Sequence, residues 1–166
     1  MAGLEDLYRE IILDHYRNPR NRGELPVPPA RRVEGFNPLC GDEVVIFVDV
    51  DPATGTVSDV KIAGQGCSIS QSSASMMTGA VKGHTIEQVR DVIRAFKAMM
   101  SIHERGLDGD GMEVVEPVLP DPAVALGDLE ALRGVVKFPV RIKCATLSWN
   151  TLAQALDEAD AEAGAR

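Results

Sequence analysis

The stretch Glu43-Val44-Val45-Ile46-Phe47-Val48-Asp49-Val50, Asp51-Pro52-Ala53-Thr54-Gly55, Thr56-Val57-Ser58-Asp59-Val60-Lys61-Ile62-Ala63 decides the fold class. Its first eight residues are dense in β-branched and aromatic types, which fit a pleated and half-buried surface. Asp-Pro-Ala-Thr-Gly is turn chemistry, and Thr56–Ala63 alternates again, so the stretch predicts an antiparallel hairpin. Gly64-Gln65-Gly66 is expected to break the returning strand just before Cys67. Upstream, Leu4, Leu7, Tyr8, Ile11, Ile12 and His15 recur at helical spacing and predict a helix over 4–17, stopped by Asn18-Pro19. Residues 24–39 are rich in Pro and Arg and read as an extended connection, with a short strand near Arg31–Gly35.

Downstream, residues 68–81 predict a helix closed by Lys82-Gly83. Thr85-Ile86-Glu87-Gln88 is a capping-box pattern. The helix it opens carries Ile86, Val89, Val92, Ile93, Phe96, Met99 and Met100 on one face. Residues 106–127 are rich in Gly, Pro and Asp and read as an irregular inserted region. A short helix is expected over Asp128–Arg133, an extended segment over Val135–Ile142, and a final helix from Cys144 through Leu156. The expectation is α+β: a small antiparallel sheet of about three strands packed against helices. No repeat and no linker divides residues 1–166, so one domain is expected.

The chain has 166 residues, with 17 Lys+Arg against 25 Asp+Glu and a formal charge of −8. An acidic chain is a poor partner for nucleic acid or for anionic membrane surfaces. No apolar run approaches the roughly 20 residues that span a bilayer. The acidic N-terminus shows no secretory pattern, which points to the cytoplasm. Three cysteines in such a chain point to thiol or metal chemistry rather than a disulfide framework.

Cys40-Gly41-Asp42 opens the first strong strand. Residues i and i+2 of extended backbone face the same way, so the Cys40 sulfur and the Asp42 carboxylate converge. Cys67 stands at one expected helix N-terminus and Cys144 at another, and such ends favour thiolate. Arg141 and Lys143 flank Cys144 and act in the same direction. Three thiolates and one carboxylate make a four-ligand set suited to zinc, or to a [2Fe–2S] cluster. Zinc on that set leaves a net −2, for which Arg141 and Lys143 are candidate counter-charges. The spacings, 27 and 77 residues with no Cys-x-x-Cys knuckle, are equally compatible with three small buried hydrophobes.

Other features carry less. His15, His84 and His103 read as structural or exposed. Tyr16, Arg17 and Arg20 are candidates for a partner surface. Asp108-Gly109-Asp110-Gly111 lacks the rest of a calcium loop. Gly64-x-Gly66 lacks the third glycine of a dinucleotide fingerprint.

Four ordered segments share a resemblance. Leu7-Tyr8-Arg9-Glu10 through Asp14-His15-Tyr16-Arg17-Asn18-Pro19-Arg20-Asn21, Asn37-Pro38-Leu39-Cys40-Gly41-Asp42, Gly64–Thr78 and Arg141–Trp149 resemble iron–sulfur cluster assembly proteins of the SufU/IscU family, with the NifU N-terminal-like fold. Within that family, Lys143 stands where scaffold-type members carry His. Lys137-Phe138-Pro139-Val140-Arg141 stands where they carry a Leu-Pro-Pro-Val-Lys chaperone-binding stretch, and 106–127 resembles the insertion of the SufU branch. The resemblance implies a zinc-dependent acceptor of persulfide sulfur from a SufS-type cysteine desulfurase, a sulfurtransferase-type carrier that serves downstream cluster assembly machinery. It implies metal on Cys40, Asp42, Cys67 and Cys144, with Cys40 as sulfur acceptor and Cys144 as runner-up. Two alternatives stand beside it: a scaffold building a [2Fe–2S] cluster on Cys40, Cys67 and Cys144, and a non-catalytic zinc-binding interaction module.

Overall fold

The computed structural model describes residues 4–38, 41–104 and 126–164. Cys40, the Asp108–Gly111 loop and nearly all of the 106–127 region lie outside the described residues, as does the side chain of His103. Helix α1 (Leu4–Arg17) leads to strands β1 (Arg31–Asn37), β2 (Asp42–Asp51) and β3 (Thr56–Gln65). Then come helices α2 (Ser68–Val81) and α3 (Ile86–Glu104), a 3-10 helix (Gly127–Lys137) and α4 (Pro139–Gly164).

The hairpin is present, and its first strand, β2, is the middle of the sheet. β2 pairs antiparallel with both neighbours in the order β1-β2-β3. β3 runs two residues further than the glycines suggest. Gly64 stays paired with Val44, in a backbone at φ +110 that a side chain rarely adopts. A Cβ there would also stand 2.4 Å from the Glu43 carbonyl oxygen, so glycine serves close pairing and the break falls at Gly66. Along the outer edge of β3, Ile62 N–H donates to Asn21 O and Gly23 N–H to Ile62 O, which covers part of that edge.

One face of the sheet carries Val33, Val44, Ile46, Val48, Val60 and Ile62, all buried. α4 packs across β1 and β2, α2 lies against β3, and α1 rests on α2 and the 3-10 helix. At the centre Phe96 of α3 stacks on Trp149 of α4, with ring centroids 4.4 Å apart. Trp149 Nε1 donates to Ser73 Oγ, whose hydroxyl donates to Ala145 O, so α2 and α4 are joined by a satisfied polar chain. The capping box at Thr85 is reciprocal: Thr85 N–H donates to Gln88 Oε1 and Gln88 N–H to Thr85 Oγ1.

The expected extended segment over Val135–Ile142 is helical instead. Leu129, Leu132 and Val135 are all buried, and a spacing of three is the repeat of a 3-10 helix, whose side chains eclipse at i and i+3. Val135 and Ile142 there are buried in helices rather than in a strand. Pro139 does not interrupt a strand. It opens α4 at the first helical position, where its missing N–H costs nothing. His15 is buried as a structural residue. Its Nδ1 lies 2.8 Å from Ser75 Oγ and its Nε2 3.1 Å from Asp128 Oδ2, so one ring ties α1 to α2 and to the 3-10 helix.

Candidate metal centre

Asp42, Cys67 and Cys144 converge although they come from three distant parts of the chain. One ligand atom of each lies within 4.8 Å of the others. Asp42 is the first residue of β2, fully buried, and its side chain points to the helical side of the sheet. Cys67 is the N-cap of α2. Its backbone is extended and its sulfur accepts the Ser70 N–H at 3.4 Å, the N-cap to N3 bond usually made by an oxygen. Its own N–H donates to Asp42 Oδ1 at 2.9 Å, and its Sγ lies 3.7 Å from Asp42 Oδ2. Gly66 makes room for this: a Cβ there would meet Asp42 Oδ1 at 2.7 Å.

Cys144 is buried and reached by a different route. It is not at a helix N-terminus, as the expected boundary placed it, because α4 begins five residues earlier at Pro139. The field of the free N–H groups falls off within the first turn, so the helix end contributes little to this sulfur. Its neighbours are the Asn37 amide, whose Nδ2 stands 4.0 Å away, and the Val140 carbonyl oxygen at 3.9 Å. Arg141 and Lys143 are both exposed. Neutral N–H groups reach each of the three: Cys67 N–H on Asp42, Ser70 N–H on Cys67 and the Asn37 amide on Cys144.

Asn37 and Ser70 are the residues that sequence reasoning did not single out. Ser70 was legible as N3 of a helix capped by Cys67. Asn37 needed the β1–β2 register, which places it directly opposite Asp42. Beside the centre, a cleft of about 680 Å³ between α1, the start of α2, the 3-10 helix and the start of α4 is lined by Tyr8, Ile12, Ile69, Val135, Phe138 and Arg141. His84 is exposed and His15 is engaged elsewhere, so neither joins the centre.

Fold and site together define a small α+β protein whose candidate metal centre combines thiols with one carboxylate at the end of a three-stranded sheet. The NifU-like N terminal domain model matches residues 7–145. The chain belongs to that family. It is 46% identical over 151 residues to the zinc-dependent sulfurtransferase SufU of Bacillus subtilis, covering 91% of this chain and 90% of the relative. It is 35% identical to the iron–sulfur cluster assembly scaffold protein IscU of Streptococcus pyogenes, covering 94% and 86%. A crystal structure from Fervidobacterium islandicum, described as an iron–sulfur cluster assembly scaffold for the SUF system, superposes with a TM-score of 0.71 at 30% identity, over 93% of this chain and 99% of that one. Among the described residues no helix is long and apolar enough to cross a membrane.

Proposed function

We propose that this protein is a zinc-dependent sulfur carrier of iron–sulfur cluster assembly, which accepts persulfide sulfur from a cysteine desulfurase and passes it to the downstream assembly machinery. The observation that carries the reading is the convergence of Asp42, Cys67 and Cys144 in a chain so close to a zinc-dependent sulfurtransferase.

The donor set fits zinc. Ordinary Zn–S and Zn–O lengths put a sulfur and an oxygen of one tetrahedron about 3.6 Å apart. Cys67 Sγ and Asp42 Oδ2 stand at 3.7 Å. Asp42, Cys67, Cys144 and, from the sequence, Cys40 would hold the ion. When bound, zinc supplies charge that keeps these thiols deprotonated at neutral pH without redox chemistry of its own.

The chain's own residues do the rest. The desulfurase presents a cysteine persulfide, R–S–SH. A thiolate of this protein attacks the outer sulfur, forming Cys–S–SH, and the desulfurase leaves as R–S⁻. One S–S bond forms as another breaks, so no outside oxidant or reductant is needed. Cys40 is the proposed acceptor. Cys144 is fully buried and Cys67 is held as a helix cap, which disfavours either as the acceptor. Asp42, a harder ligand than thiolate, favours an exchangeable site over a purely structural one. The absence of imidazole at position 143 and the outward-facing Lys143 favour carrier over scaffold. Thiol chemistry of this kind suits the reducing cytoplasm.

The test is metal content followed by activity. Protein purified without added metal is expected to hold about one zinc per chain with little iron or sulfide. It is also expected to accelerate a SufS-type desulfurase in a way that Cys40→Ser abolishes. Stoichiometric iron and labile sulfide would establish the scaffold reading instead.

A further inference from the structure

We propose that Asn37 is a positioning residue of the metal centre, holding the Cys144 thiolate as the inert anchor and so leaving sulfur transfer to another cysteine. The inference rests on the zinc reading above and deepens it.

Asn37 is the last residue of β1 and is buried, with 6% of its surface exposed. A primary amide inside a protein costs stability unless its groups are bonded. Its Nδ2 faces Cys144 Sγ at 4.0 Å, across 107 residues of chain and inside the core. Its backbone carbonyl accepts the Gly41 N–H at 2.9 Å, next to Asp42. Its Cα pairs with that of Asp42 in the sheet register. One residue therefore meets the buried sulfur by its side chain, the carboxylate residue Asp42 by strand pairing, and the neighbouring Gly41 by its backbone carbonyl. Residues behind the ligands of metal sites orient those ligands and tune their electron density.

The chemical consequence follows from hydrogen bonding to sulfur. An N–H directed at a thiolate draws on its lone pairs and makes it a poorer nucleophile, while fixing the side chain in the rotamer that faces the metal. Cys67 receives a backbone N–H that no substitution of a side chain removes. Cys144 receives a side-chain N–H, which a single substitution does remove.

The experiment uses the full chain, zinc-loaded, as wild type, Asn37→Asp and Asn37→Ala. Asp keeps the shape and replaces the donor by an acceptor. Labelling by iodoacetamide is followed at each cysteine by peptide mass spectrometry, and zinc retention by competition with a chromophoric chelator. The expected result is a roughly tenfold rise in Cys144 labelling relative to Cys67 in both variants, with zinc held about tenfold less tightly. A merely structural role would lower the melting temperature of the metal-free protein and leave the Cys144 to Cys67 ratio unmoved. Should Asn37→Ala fail to fold, Asn37→Asp and a variant-free readout decide: the Asn37 side-chain amide resonances of the wild type shift on metal loading. Wild type that retains zinc, with an unchanged labelling ratio in the folded variants and an unmoved Asn37 amide, overturns this inference alone. Wild type that retains no zinc overturns the functional reading and the inference with it.

Discussion

At the scale of single residues, the centre depends on small groups as much as on its ligands. Gly66→Ala puts a carbon 2.7 Å from Asp42 Oδ1, 3.1 Å from Asp42 Cγ and 3.1 Å from Ser70 Oγ. The carboxylate must swing off the Cys67 N–H. Zinc retention is expected to fall about tenfold, measured by chelator competition, before stability falls much. Charge at the surface has a smaller and separate effect. The Arg20 side chain, hydrogen-bonded to Asp14, and then Asn18 hold the Asp14 carboxyl below its ordinary value of 3.8. A carboxylate lowered on folding stabilises above its unfolded pKa, and that contribution is lost as pH falls through the folded value. Asp14→Asn should therefore flatten the acid limb of stability below about pH 4, read by denaturant titration at several pH values. Asp14 is fully exposed, so solvent screens the effect.

Between elements, two contacts set how the helices sit over the sheet. Gly35 lets α4 lie directly on β1, since a Cβ there would stand 2.0 Å from Thr151 Oγ1 and 3.2 Å from Val44 Cγ1. Gly35→Ala is expected to cost about 1–3 kcal/mol by overpacking. Gly35→Ala with Thr151→Ala should recover part of that, a coupling measurable as a double-mutant cycle in denaturant melts. His15 is the second contact. With an N–H toward Asp128 and a lone pair toward the Ser75 hydroxyl, a neutral ring satisfies both partners. Ser75 Oγ also accepts the Arg20 N–H, so the network reaches the loop after α1. His15→Phe keeps volume but strands these groups, and should lower stability by about 1–3 kcal/mol in the same assay. A wild-type melt for this variant would show that the bridge carries no stability.

For the whole molecule, a metal held by Asp42, Cys67 and Cys144 would be a tertiary cross-link. These candidate ligands sit on β2, at the cap of α2 and in α4, and no unfolded chain gathers them. Zinc, the proposed ion, is therefore expected to bind the folded state preferentially, with stability rising as RT ln(1 + [Zn]/Kd). A strong chelator should lower the melting temperature, and added zinc should restore it in proportion to the logarithm of free metal. Cys67→Ser and Cys144→Ser should each abolish most of that dependence while the metal-free melt moves far less. A melting temperature indifferent to zinc in the wild type would contradict a centre built this way.

Local chemistry was enough to read much of this protein from sequence. The hairpin was legible because β-branched alternation and Asp-Pro-Ala-Thr-Gly act within a few residues. The same holds for α1, for the Thr85 capping box and for Cys67 at a helix N-terminus. The expected convergence of Cys40 with Asp42 rests on the period of a strand and involves a residue outside the described ones, while Asp42, Cys67 and Cys144 of the expected four-residue set do come together. What happens over 135–144 was decided only by tertiary structure. Val135, Val140 and Ile142 favour strand in isolation, but stacking Leu129, Leu132 and Val135 against α1 and α3 buries more, and the segment turns helical. That choice moved the start of α4 back to Pro139 and took Cys144 away from a helix end. The Asn37 amide stands beside its sulfur instead, a contact across 107 residues that local periodicity does not encode. Sequence by itself determined which groups are available to bind metal. Packing of α4 on β1 decided how they meet, because burial is a sum over neighbours that only the folded chain brings together.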